Sequence, residues 1–513
     1  VERNQPLKIS RRLFLSAALV GMSCKSRRSP AGSFVDDGGS RGHQLRASPV
    51  AGPRRRREHS QVVIIGGGIA GLSAAWRLHQ RGVTDFVVLE MEARAGGNAR
   101  WGEHEISRYP WAAHYVPIPG PDALELRTFF RDLGVLEGDS WIEQAVCFAP
   151  QERLYIHGRW QEGLEPQVGP TARDRDQFAR FDERMRAFRE TGAFTIPSSH
   201  GRTTLAHAPE IAALDALSMA AWLGREGFDS PYLRWWVEYG CRDDYGALLS
   251  NVSAWAGIHY HASRPLDEKG PLTWPEGNGW IVRRLLERLG GYVETSVMVE
   301  RLERNGRAWI VTADNGVWTT ENVIYAAPAF LLPHLLDGSY SFHEFEYSPW
   351  LTANLVLDRW PQSTGVEPAW DNVIFDSPGL GYVVATHQSL ATELPRTIWT
   401  YYWALADGSP QANRLWLQQQ TWEALVARIL ADLRRAHSDI DDCVSRIDIM
   451  RFGHGMIRPT VGFLTAAGRR QLSAREQGLF FAHSDVSGLS LFEEAHEGGV
   501  RAADMVLDRL GRA

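Results

Sequence analysis

Val62-Val63-Ile64-Ile65-Gly66-Gly67-Gly68-Ile69-Ala70-Gly71 leads into Leu72-Ser73-Ala74-Ala75-Trp76-Arg77-Leu78, and Phe86-Val87-Val88-Leu89-Glu90 follows after a short gap. Four β-branched residues in a row fit a buried parallel strand. Helical spacing resumes after Gly71, so the glycines lie between strand and helix. Gly66 allows a tight turn, Gly68 leaves no Cβ between the backbone and a diphosphate, and Gly71 lets helix and strand approach closely. The diphosphate then rests on the helix N-terminus at Ile69 and Ala70, where free N–H groups and the macrodipole favour negative charge. Glu90 stands at the end of the second strand, about 20 residues past the last glycine, where its carboxylate accepts bonds from ribose hydroxyls. The sequence predicts an α/β fold with a Rossmann-like dinucleotide-binding domain.

Ala93-Arg94-Ala95-Gly96-Gly97-Asn98-Ala99-Arg100 supplies a second glycine pair just past Glu90, placed to meet the same cofactor. With the first motif it resembles the start of the flavin-containing amine oxidase superfamily, which includes monoamine and polyamine oxidases and is related to carotenoid desaturases. The resemblance implies FAD, a two-dinucleotide-binding-fold domain and a mixed α+β substrate domain interleaved with it. The family usually reads Arg-x-Gly-Gly-Arg here, and Asn98 replaces the second arginine. It also implies a backbone contact to adenine near Val299, an acid for the ribityl chain at Asp485, and a C-terminal helix whose first N–H groups, at Phe492 and Glu493, face the flavin N1–C2=O2 edge. Such N–H groups stabilise the negative charge of a reduced flavin.

Three family features are altered. The lysine that most amine oxidases place near the flavin N5 has no counterpart in Trp350-Leu351-Thr352-Ala353-Asn354-Leu355-Val356-Leu357. Asn354 is the candidate to hold a water there. The two aromatic residues that frame an amine correspond to Gly455 and Leu491. His454 lies near the position where monoamine oxidases attach flavin through a cysteine, and His114 lies beside the expected flavin face with an imidazole that titrates near neutrality. Trp370-Asp371-Asn372 and Thr386-His387-Gln388 are further candidates to line a pocket.

The 513 residues exceed a single-domain length, and a net charge of −6 gives no attraction to nucleic acid. Lys8, Lys25 and Lys269 are the only lysines, which nearly excludes lysine chemistry. The four cysteines form no C-x-x-C or clustered Cys/His pattern, so no metal site is expected.

Ser10-Arg11-Arg12-Leu13-Phe14-Leu15, followed by the short apolar run Ser16 to Met22, is similar to a twin-arginine export signal. This implies the twin-arginine export machinery as a partner, a periplasmic or other extracytoplasmic location, and no transmembrane helix in the mature form. Gly21-Met22-Ser23-Cys24 loosely resembles a lipoprotein cleavage site, which makes a lipid anchor at Cys24 an option. Residues 25–58, rich in Arg, Ser, Gly and Pro, read as a disordered linker after a signal at 1–24. The expected FAD domain comprises 59–120, 265–335 and 450–513; the substrate domain comprises 121–264, rich in helices, and 336–449, supplying the sheet and a helix from about 411 to 436.

The combined reading is an exported FAD-dependent oxidoreductase that passes a hydride from a small-molecule substrate, an amine, to flavin N5, with O2 or another acceptor. The alternatives are a polyene desaturase or isomerase-like enzyme, and a flavin-binding partner protein without turnover.

Overall fold

The computed structural model describes residues 29–35, 39–46, 57–200, 209–264, 270–336, 340–391, 393–473 and 477–512. The expected export signal and Cys24 lie outside the described residues. Among the described residues no helix is long and apolar enough to cross a membrane.

The elements that build the site are, in chain order, β1 (Val62–Ile65), α1 (Ile69–Gln80), β2 (Phe86–Leu89), α2 (Pro231–Tyr245), β3 (Val293–Glu294), β4 (Asn322–Tyr325), β5 (Glu346–Leu357), β6 (Val444–Arg458), β7 (Leu479–Phe481) and α3 (Phe492–Arg509). A five-stranded, all-parallel sheet runs in the order β3-β2-β1-β4-β7. Its central strand is buried at every residue, as a strand covered on both faces must be. The last strand and helix of the chain therefore complete the domain that the first ones start. A turn at Asp314-Asn315-Gly316 joins antiparallel strands Ala308–Ala313 and Val317–Thr320 in a second sheet.

Glycines hold the two ends of the chain together. A Cβ on Gly71 would lie 1.9 Å from the Gly66 carbonyl oxygen, one on Gly498 2.2 Å from that of Ala482, and one on Gly499 2.2 Å from that of Ala70. All three distances are far inside van der Waals contact, so α3 packs on α1 and behind β7 at a separation only glycine permits.

The substrate domain is built on a seven-stranded sheet, ordered β6, β5, Thr397–Ala404, Gly381–Val384, Asp371–Ile374, Glu152–Ile156, Arg159–Glu162. Two strands thus come from the first excursion, which the sequence had marked only as helical. Arg153 pins them: its buried guanidinium bonds Asn372, Ser363, Tyr382 and the Val366 carbonyl and stacks on Trp160. Two boundaries also differ. β6 pairs with β5 from Val444 through Arg458, so the substrate domain runs past 450. The expected helix from 411 to 436 is two helices, Pro410–Gln419 and Trp422–Leu433, because Thr421 accepts from the Ala424 N–H and starts a new one.

The expected disordered linker is ordered where it is described. Residues 31–35 lie along β6, exchanging bonds between Ala31, Ser33 and Val35 and the backbone of Ser445, Ile447 and Ile449. The Arg451 guanidinium covers the Phe34 ring at 3.8 Å. A polar composition does not prevent order here, because an open sheet edge offers unpaired N–H and C=O groups to any extended segment.

Candidate functional site

The two glycine loops face one another. Gly66, Gly96 and Gly97 have φ of 102°, 132° and 55°, values that disfavour any side chain. The Gly96 N–H donates to the Gly67 carbonyl at 2.8 Å, and a Cβ on Gly97 would meet the Gly68 Cα at 3.3 Å. At Gly68 itself a Cβ would have only the Gly97 Cα as neighbour, at 3.8 Å, so that face of the loop is open. The helix behind it, opened by Ile69 and Ala70, has no side-chain cap, which leaves its first N–H groups for an anion.

Glu90 is buried at the end of β2. Its carboxylate accepts from the Gly67 N–H at 2.7 Å and the Glu92 N–H at 2.8 Å, so it braces the first loop as well as facing the ribose position. Burial raises its pKa from the ordinary value, and the bonds from Glu92 and Gly67 work against that rise. Val299 starts the strand that follows Val297, whose N–H donates to the Glu90 carbonyl at 2.8 Å. Arg94 is exposed on the second loop. These features fit a dinucleotide with its diphosphate between the loops and its adenosine toward Glu90 and Val299.

At the other end of the slot lies a cavity of about 120 Å³, lined by His114, Tyr115, Asp243, Asp244, Arg264, Asn278, Trp350, Thr352, Tyr402, Phe452, Gly455 and the α3 start at Leu491, Phe492 and Glu493, among others. Leu491 gives α3 no side-chain cap, so its first N–H groups point at this cavity. Four buried polar atoms on its walls have no protein partner: Trp350 Nε1, Thr352 Oγ1, Asn278 Oδ1 and Glu493 Oε1. Buried polar groups are nearly always bonded, so such a set around one space marks where a polar ligand sits.

The wall is aromatic and acidic. His114 stacks on Tyr402 with ring centres 4.6 Å apart, and its Nδ1 lies 3.0 Å from the Ala112 carbonyl. Burial pushes its pKa down to about 4, so the imidazole is neutral at neutral pH. Asp244 pairs with Arg264 at 2.7 Å, and the Tyr115 hydroxyl lies 3.4 Å from both Asp243 and Asp244. Burial, then the adjacent Asp244, push the Asp243 carboxyl up to about 7. Burial pushes Glu493 up to about 8.

Three expected positions are otherwise engaged. The Asn354 amide donates to the Pro110 carbonyl at 3.1 Å and accepts from Thr400 at 2.7 Å, and on its strand Trp350 and Thr352 face the cavity instead. Asp485 accepts from the Ala329 N–H at 2.8 Å and the Tyr347 hydroxyl at 2.6 Å, with His483 at 3.1 Å, so its oxygens fasten β4 to the start of the last segment. His454 stacks on Phe330 at 4.2 Å and lies beside the cavity, which Gly455 and Met456 line. Of the two polar clusters, Trp370 reaches the His114 ring at 5.5 Å and Asp371 accepts from Tyr239 at 3.3 Å. Asn372 serves Arg153, Thr386 bonds Thr397, and His387 and Gln388 bond the Phe148 backbone.

Asp243, Asp244 and Arg264 were missed. The sequence did carry a signal for the acids: they fill the last turn of α2 before Gly246, where the macrodipole disfavours negative charge. A half-buried and a buried carboxylate side by side at that end of a helix are not there for stability.

The family model for flavin containing amine oxidoreductases matches residues 69–507. The chain belongs to this family. As such it is a FAD-dependent oxidoreductase, and the facing glycine loops are where its FAD fits. The chain shares its fold with a putrescine oxidase double mutant (TM-score 0.69, 17% identity, 88% of this chain and 100% of that one) and with a fatty acid isomerase from P. acnes (TM-score 0.63, 15% identity, 88% and 98%). In sequence it is similar to a Baeyer-Villiger monooxygenase of Penicillium patulum, 50% identical over 54 residues, which are 10% of this chain and 8% of that protein. The match thus spans about a tenth or less of the length of such curated relatives.

Glu493 yields a prediction about stability. Its native carboxyl keeps its proton up to about pH 8, whereas the ordinary value is 4.5, so between these pH values the native state binds more protons and stability falls as pH rises. Glu493→Gln removes this loss. In FAD-free protein the melting temperature of Glu493→Gln is expected to exceed that of the wild type by a margin that widens from pH 5 to pH 8. A margin independent of pH contradicts the burial argument.

Proposed function

We propose that the protein oxidises a cationic amine, held by the carboxyl groups of the cavity in front of the flavin. The observation that carries this reading is the charge balance of the wall: Asp243 and Asp244 face it against the single guanidinium of Arg264, which Asp244 already neutralises, while Glu493 adds a carboxyl that burial keeps protonated at neutral pH. The carboxylate left over, Asp243, selects a cation in a site of low dielectric. His114 does not oppose it, being neutral. Tyr115, Tyr402, Trp350 and Phe452 supply aromatic faces that suit an ammonium group and keep water out.

FAD, held between the glycine loops at Gly66–Gly71 and Gly96–Gly97, would supply the acceptor for a hydride from the carbon next to the amine nitrogen. That nitrogen must first lose its extra proton. Asp243, raised to about 7, is matched to accept this proton at neutral pH. The unpartnered Thr352 hydroxyl and Trp350 N–H orient the substrate without adding positive charge. A polyene substrate would leave Asp243 without a use. The Ser10 to Leu15 motif supports export by the twin-arginine route, and exchange of Arg11 and Arg12 for lysine should leave the protein in the cytoplasmic fraction, whereas unchanged export speaks against that route.

Anaerobic mixing with monoamines, polyamines, amino acids and polyenes, monitored at the oxidised flavin band, tests the reading. Cationic amines should bleach it. Asp243→Asn should keep its flavin, raise KM for the active amine by about tenfold or more, as a lost charged hydrogen bond implies, and lose the rise of kcat/KM through about pH 7. A band untouched by every amine, together with isomerised polyene, would falsify the proposal.

A further inference from the structure

The N-terminal arm lies outside the family-matched region, yet it is attached to both domains. Residues 31–35 extend the substrate sheet along β6, and 39–46 form a short helical segment against the FAD domain. In that segment the Arg41 guanidinium donates to the Met91 carbonyl at 2.8 Å and the Ser296 carbonyl at 2.7 Å, and pairs with Asp314. One planar cation thus joins three loops, a task that suits the fixed fork of arginine.

These loops carry the adenosine end of the slot. Met91 follows Glu90. Ser296 donates to the Glu92 carbonyl at 2.9 Å and precedes Val297, which donates to Glu90 and leads to Val299. The Asp314 carboxylate accepts from the Met298 N–H at 3.1 Å. Fixing Met91, Ser296 and Asp314 therefore fixes the separation between Glu90 and Val299.

The same segment also reaches the surroundings of His454 beside the cavity. His43 and Arg46 join Arg414 around His454, whose pKa falls to about 4 through burial and then through Arg414, Arg46 and His43. Next to His454, the Gly455 carbonyl accepts from the Asn98 amide at 2.8 Å, and Asn98 follows Gly97.

We propose that residues 39–46 complete the FAD site as a strap, with Arg41 as a positioning residue that holds the adenosine corner closed and so slows loss of the cofactor. The strap is anchored on the opposite domain by Phe34 under Arg451. The inference concerns cofactor retention alone and stands whether or not the substrate is an amine.

The test uses the FAD-loaded full chain, diluted into buffer containing an excess of a flavin-binding apoprotein trap. Flavin fluorescence gives the release rate, and the melting temperature of FAD-free protein is measured in parallel. Arg41→Ala should release FAD about tenfold faster, the factor that ~1.4 kcal/mol represents, with FAD-free melting unchanged. Phe34→Ala should accelerate release to a smaller extent. Release at the wild-type rate from Arg41→Ala overturns the proposal. So does an equal fall in melting temperature with and without FAD, which would make Arg41 a purely structural residue.

Discussion

Close backbone approach between the first helix and the last is the constraint on which the rest of the molecule depends. Gly499 sits against the Ala70 carbonyl and Gly71 against that of Gly66, so α1, β1 and α3 pack with no side chain between them. This contact brings the N-termini of two helices, formed more than 400 residues apart, to opposite ends of one slot. One end is open for a diphosphate at Gly68, and the other presents N–H groups to the cavity at Phe492 and Glu493. Each helix directs its macrodipole inward, and the site is complementary to a ligand that is anionic at both places.

The cavity wall works in the opposite sense. Its acids lie on α2 and α3, and the one guanidinium among them is paired, which leaves a place for a cation facing the flavin edge. Placing Asp243, half-buried, and Asp244, buried, in the last turn of α2 costs stability twice, through desolvation and through an unfavourable dipole. Such strain is retained where recognition or proton transfer needs it, because a carboxyl raised toward neutrality is both an acceptor and an electrostatic anchor.

The FAD domain was legible in the sequence because its determinants are local. A β-branched run, glycines at fixed offsets and a terminal acid state their geometry within 30 residues, and the structure arranges them in the expected order. The substrate cavity was less so, because its residues come from many separate stretches of the chain and meet only through the tertiary fold. Asn354 illustrates the difficulty: strand alternation puts it on the same face as Trp350 and Thr352, yet Pro110 and Thr400 occupy its amide. Asp485 likewise has the right chemistry for a ribityl contact but spends it on Ala329, Tyr347 and His483. The arm was misread for a different reason. Composition reports whether a segment can form its own core, and residues 31–35 need none, since β6 supplies their hydrogen bonds.

The central claim, that the facing glycine loops hold the diphosphate of FAD, is tested most directly at Gly68. A methyl group there would have the Gly97 Cα at 3.8 Å as its neighbour, an ordinary contact, so the protein itself has room for it. Titration of FAD into FAD-free Gly68→Ala, alongside its melting curve, should show melting within roughly 2 °C of the wild type and an affinity for FAD weaker by about tenfold or more. Wild-type affinity in that variant would contradict the account.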